Sequence, residues 1–211
     1  MNACDSCFRN QLTAFEVWLD FGRTANLCKP PEQLPIVLQV VLSQAHRIRA
    51  LMLLRHFLDL GPWAVNLALS VGVFPYVLKL LQDPTIELRQ HIVGIWTRIM
   101  AFDSSCQTDL IKHKAHHHFI SHLGAVLYVS PEQSVMAVFI LAAMQRSHRA
   151  GQIACLKEGL HNLCISVLRS HHSRDTPLMR RWIIFCLAQL CWGFPKAQVY
   201  MICLFSLSLC V

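Results

Sequence analysis

The stretch SVGVFPYVLKLLQDP, residues 70–84, decides how the chain is read. Gly72 and Pro75 stand directly ahead of the apolar run YVLKLL. After the last turn of a helix, glycine takes a left-handed backbone without a Cβ penalty. Proline in a first helical turn loses nothing, because the N–H it lacks has no intrahelical acceptor there. The stretch therefore ends one helix, over WAVNLALSV, and starts the next, over PYVLKLLQ. Asp83-Pro84 turns the chain into a longer helix predicted over 86–102, with Leu88, Ile92, Ile95, Trp96 and Ile99 as its apolar positions. Its polar stripe is Glu87, Gln90, His91, Gly94, Thr97 and Arg98. Asp103 or Ser104 is expected to cap a short helix over CQTDLIKHK.

The same grammar recurs downstream, in HKAHHHFISHLGAV…MAVFILAAM…GQIACLK and again in KEGLHNLCISVLRS…RRWIIFCLAQL…AQVYMI. Setting Gly72 against Ala115 and Gly159 gives spacings of 43 and 44, and setting Gln107 against Gln152 and Gln198 gives 45 and 46. A period of this size with two or three helices per unit is that of armadillo and HEAT repeats. Such a unit cannot bury its apolar face alone, and stacking buries it. The expected fold is all-α, a right-handed armadillo/HEAT-like solenoid, with residues 1–198 as a partial array. Upstream helices are predicted over 6–20, 34–44 and 46–60. The last contains IRALMLLRHFLDL, apolar nearly all round and so buried on several sides. No strand is expected outside a possible fragment in the tail.

Composition narrows the function classes. The 211 residues are 54% hydrophobic and 15% charged, enough to build a large core and too apolar for a disordered chain. The formal charge is +7, but the 19 Lys and Arg are scattered from Arg9 to Lys196 without a like-charged block, so no nucleic-acid partner is expected. The first twenty residues carry Asp5, Arg9, Glu16 and Asp20 and no apolar leader core. Most of the 10 cysteines, Cys164, Cys186 and Cys191 among them, sit in apolar helical patterns. They read as small buried hydrophobes of a reduced, intracellular protein. No uninterrupted apolar window reaches the length of a membrane span, so no membrane insertion is expected. The final VYMICLFSLSLCV, residues 199–211, is an uncharged apolar tail. It is read as truncated or mis-spliced, with a short hydrophobic anchor or docking strand as the alternative.

Chemistry has little to stand on. There is no G-x-S-x-G, no Gly-rich phosphate loop and no H-E-x-x-H, so no catalytic residue, no enzyme and no cofactor are expected. Trp63, Trp96, Trp182 and Trp192 are expected as core anchors. Cys4-x-x-Cys7 has metal-ligand spacing, and His113, His116, His117, His118 and His122 could complete a zinc site. The two pieces lie about three repeats apart, and repeats far apart in a solenoid do not meet. The histidines alone read as a polar, solvent-facing helix start. What repeats offer is surface, and the candidate partner-binding residues are Glu87, Gln90, His91, Thr97 and Arg98.

Long ordered strings carry a resemblance. ACDSCFRNQLTAFEVWLDFG, KPPEQLPIVLQVVLSQAHRIRALMLLRHFLDLGPWAVNLALSVGVFPYVLKLLQ and ELRQHIVGIWTRIM closely resemble the Raptor family, scaffold subunits of TOR complex 1, at the start of its armadillo/HEAT solenoid. The resemblance is strong over residues 2–112 and looser through PEQSVMAVFILA, HRAGQIACLKEGL and AQV. It implies a non-enzymatic scaffold that binds the TOR kinase, recruits its substrates and docks on Rag GTPases. The implied location is the cytoplasm, with recruitment to the lysosomal surface through partners. In full-length relatives a caspase-like domain precedes the solenoid and a WD40 propeller follows it. Neither is in this sequence, so TOR substrates are expected as partners only where those domains are present. The corner Lys114-Ala115 followed by three histidines departs from the family's more acidic, Gly-containing corner, and the tail after Gln198 matches nothing in it. Two other readings stand beside this one. The first is a generic helical-repeat interaction module with no TOR role. The second is a small zinc module built on Cys4, Cys7 and the His113–His122 cluster.

Overall fold

A computed structural model describes residues 3–22, 30–83, 85–125, 130–170 and 176–209. Among these residues there are thirteen helices and no strand. The chain divides into two compact units, Met1–Asp103 and Ser104–Val211.

The first unit holds α1 (Ala3–Gly22), α2 (Leu34–Val40), α3 (Arg47–Leu58), α4 (Pro62–Ser70), α5 (Val73–Leu80) and α6 (Ile86–Phe102). Helix α3 is its centre, packed on α1, α2, α4 and α6. Its Leu51, Leu54, Phe57 and Leu58 are fully buried, while Met52 and Ile48 stay partly exposed. On α1 the i, i+4, i+7, i+11 spacing of Phe8, Leu12, Phe15 and Leu19 predicts one apolar face; Leu12, Phe15 and Leu19 are buried and Phe8 is half-buried. Phe57 gathers the aromatic rings, 5.8 Å from Phe15, 5.9 Å from Trp18 and edge-on to Trp63 at 5.6 Å. Trp96 is fully buried on α6, with Phe74 edge-on at 5.5 Å. Each such side chain contributes on the order of 1.5–3 kcal/mol by leaving water. Arg47 closes the unit's polar ends. It donates to the carbonyls of Val41 and Leu42 and to Asp83 at 2.9 Å.

The second unit holds α7 (Gln107–Lys112), α8 (Ala115–Gly124), α9 (Pro131–Gln145), α10 (Arg149–Lys157), α11 (Leu160–Arg169), α12 (Pro177–Cys191) and α13 (Pro195–Leu209). Two triads, α7–α8–α9 and α10–α11–α12, each run short, short, long, as α4–α5–α6 do in the first unit. The long helix α9 is packed by α7, α8, α10 and α12. Its Ala137, Val138, Ile140, Leu141 and Ala142 are fully buried. Pro131 and Pro177 open the long helices, where a missing N–H costs nothing. Ser130 caps α9 by accepting from the Gln133 N–H.

The recurring glutamines have a structural cause. Gln107 Nε2 donates to the carbonyls of Ala143 (2.7 Å) and Arg146 (3.0 Å), at the end of α9. Gln152 Nε2 does the same for Gln189 (2.8 Å) and Trp192 (2.9 Å), at the end of α12. The last carbonyls of a helix have no partner within it. Each triad therefore ties its first short helix to the C-terminus of its long one. Gln198 on α13 donates back to Cys191 O at 2.9 Å. Gly151 lets α10 approach α9 closely, since a Cβ there would meet the Met144 carbonyl at 2.2 Å.

Several expected details shift. Pro75 is the third residue of α5, which begins at Val73, and α2 ends at Val40 rather than near Gln44. The residue before α7 is Cys106, without a side-chain cap, so neither Asp103 nor Ser104 caps that helix. The left-handed corner residues are Gly72 (φ 92°), Lys114 (φ 56°) and Gly159 (φ 74°). The second corner therefore falls on Lys114, one position before Ala115. Trp192 is 75% exposed, because it occupies the position after the long helix, where the backbone carbonyl is tied and the side chain is free. The tail boundary at 198/199 falls inside α13. No single helix among the described residues is long and apolar enough to cross a membrane, and the apolar pair α4–α5 is bent by 91°.

Two substitutions test this account. Gln152→Ala leaves two carbonyls of α12 without their donor and lowers the unfolding free energy by about 2 kcal/mol. Lys114→Gly removes the left-handed penalty of a side-chain-bearing residue and raises it by about 1 kcal/mol. Urea denaturation followed by circular dichroism reads both.

Candidate functional site

On α6 the predicted stripe divides. Glu87 and Gln90 are exposed, and His91, Thr97 and Arg98 are half-buried. His91 Nε2 lies 3.3 Å from Gln90 Nε2. Burial pushes the His91 pKa below its ordinary value, and the charges of Arg55 and His56 on α3 push it the same way. Gly94 is buried, with Arg55 Nε 2.9 Å from where a Cβ would stand. Arg98 pairs with Asp59 at the end of α3, and Thr97 Oγ1 donates to Val93 O of its own helix at 2.7 Å. The α6 stripe is thus partly a charged seam with α3. Glu87 and Gln90 are the exposed candidate residues.

In the second unit the histidine run opens α8, and it is not uniformly solvent-facing. His113, His117 and His118 are exposed, while His116 and His122 are buried. His116 stacks on His117 with ring centroids 4.8 Å apart, and its Nδ1 has no hydrogen-bond partner. His117 Nδ1 lies 3.1 Å from an oxygen of Glu158, the residue that caps α10. Burial lowers the His116 pKa, the neighbouring His117 adds to this, and Glu158 opposes it. These side chains line a cavity of about 420 Å³ together with Lys114, Lys157 and Ile153. Among the described residues, His116, His117 and Glu158 bring metal-ligating atoms within 4.8 Å of one another.

That group holds two of the five histidines, one carboxylate and no cysteine, so it is not the alternative zinc module built on Cys4 and Cys7. Cys7 is an exposed thiol on α1, and the Cys4 side chain lies outside the described residues. Glu158 was not legible as a candidate. Its signal was the repeat register, because it precedes Gly159 at the corner equivalent to Lys114. Two buried thiols, Cys155 and Cys164, are poor nucleophiles. Burial holds the Cys155 pKa far above its ordinary value, and a hydrogen bond that the Cys164 thiol gives to Cys186 raises that of Cys164, with burial adding to it.

No protein-family profile matches the sequence. The regulatory-associated protein of TOR 2 of Oryza sativa subsp. japonica is 55% identical over 195 residues, covering 91% of this chain and 14% of that protein. A target of rapamycin complex 1 subunit of Schizosaccharomyces pombe is 48% identical over 196 residues, covering 90% of this chain and 14% of its own length. The crystal structure of Chaetomium thermophilum Raptor superposes with a TM-score of 0.87 at 46% identity, over 96% of this chain and 19% of that one. The chain matches a segment of Raptor. It spans about one-seventh of the length of these curated Raptor relatives. A computationally designed armadillo repeat protein, at 13% identity and a TM-score of 0.65, shows the fold alone, an all-α armadillo-like repeat solenoid. Over this Raptor segment the expected fold class and resemblance both hold.

The histidines set a pH dependence. The His91 and His161 pKa values are lowered from 6.5, both chiefly by burial. A base whose folded pKa is depressed contributes no loss above its unfolded value, and the unfolded chain binds protons first as the pH falls. The expected result is a urea midpoint that is flat from pH 7.5 to about 6.5 and falls below it. His91→Gln removes part of that fall.

Proposed function

We propose that this chain acts as a non-catalytic scaffold segment of TOR complex 1, binding the TOR kinase and helping to assemble it with Rag GTPases and substrates. The observation that carries the proposal is the match to Raptor across 96% of the chain in both sequence and fold. The names of the relatives, a regulatory-associated protein of TOR and a complex 1 subunit, support association with TOR. A surface role also suits helical repeats, which present long exposed faces. Glu87 and Gln90 are the proposed contact residues at the solvent side of α6, with His91, Thr97 and Arg98 positioned behind them. Substrate recruitment belongs to longer relatives that carry further domains. The proposed location is cytoplasmic, with recruitment to the lysosomal surface through partners.

The test is affinity capture from cytosolic extract with the full chain as bait. The TOR kinase is expected among the captured proteins. Glu87→Arg combined with Gln90→Ala should reduce its recovery without changing the circular dichroism spectrum. Failure to capture the kinase, both alone and when joined to the flanking domains of a full-length relative, contradicts the proposal and leaves the generic interaction module.

A further inference from the structure

We propose that His116, His117 and Glu158 form a zinc site that clips α8 to the end of α10. Three observations converge on it. The ligand atoms of the three side chains already lie within 4.8 Å of one another. His116 is 5% exposed and its Nδ1 is unpartnered, which is costly for a buried polar atom unless something binds it. The same side chains line an open cavity of about 420 Å³, which gives an ion access from solvent.

The donor set selects the ion. Two imidazoles and a carboxylate suit zinc, which takes three protein ligands and leaves a fourth position to water. With bonds of about 2.0–2.2 Å, tetrahedral donors stand roughly 3.3 Å apart. His117 Nδ1 and Glu158 Oε2, at 3.1 Å, already have that separation. His116 is the fixed member, held among buried residues. His117 and Glu158, with side chains 46% and 34% exposed, are free to close on the ion. Lys114 and Lys157 line the same cavity and weaken the attraction for a cation, so binding is expected in the micromolar range rather than tighter. Glu158 and His117 belong to adjacent triads, so the ion would strengthen the contact of neighbouring repeats. The inference is independent of any TOR association.

The experiment is a titration of the full chain with zinc chloride against a chromophoric chelator, after accessible thiols such as Cys7 and Cys203 have been alkylated. One zinc per chain is expected. Glu158→Gln and His117→Asn should each weaken binding by at least about tenfold. His118→Asn, an exposed histidine on the same helix, should change it by less than about twofold. Cobalt in place of zinc should give visible d–d bands without a thiolate charge-transfer band. Zinc should raise the melting temperature of the wild type and not of Glu158→Gln. No stoichiometric binding, or binding equally tight in Glu158→Gln and His117→Asn, overturns the site. His116→Asn also removes a buried group, so the two exposed variants carry the decision.

Discussion

The tie from a side-chain amide to the end of a long helix organises the second unit. Gln107 and Gln152 are almost fully buried, and each gives both amide hydrogens to carbonyls that their own helix leaves unpaired. Two hydrogen bonds of this kind satisfy groups that would each cost about 1–3 kcal/mol if buried alone. They also set where the first short helix of a triad sits against the long one. The second short helix, reached through a left-handed corner, then has one place to pack. The apolar faces of α9 and α12 meet on that frame.

The sequence made much of this legible because repeats are read from several signals at once. A corner between the short helices and a glutamine repeat with nearly the same period, 43–44 and 45–46 residues. The boundaries of α6 were readable to the residue because its apolar spacing is regular and Asp83 and Asp103 flank it. The corner at 114 was misplaced by one residue because a lysine stands where the neighbouring corners have glycine. Side-chain partners were not legible. Arg55 filling the space above Gly94, and Glu158 meeting His117, depend on helices more than thirty residues apart in sequence. Exposure of Trp192 was missed for a similar reason, since periodicity marks an aromatic as apolar but does not say that it follows the last helical turn.

The balance between core and surface bears on function. Cys155 and Cys164, whose pKa values are raised, serve packing. The charged seam between α3 and α6 uses Asp59 and Arg98, both about two-fifths exposed, and such a pair contributes little to stability. Exposed side chains include Glu87 and Gln90 on α6, and Phe185 on α12 with Trp192 just after it. A helical-repeat segment similar to Raptor is suited to present such exposed residues, and the zinc clip would hold two triads of the second unit in register.

Amide hydrogen exchange of the full chain, read by mass spectrometry, tests the stacked-triad account most directly. Helix α9, packed by four others and tied at its end by Gln107, should exchange slowest in the second unit. Helix α13, packed chiefly on α12 with Tyr200 against His161 of α11, should exchange fastest. Exchange in α9 as rapid as in α13 would contradict the account, because the triads would then not be held by the packing and ties described for them.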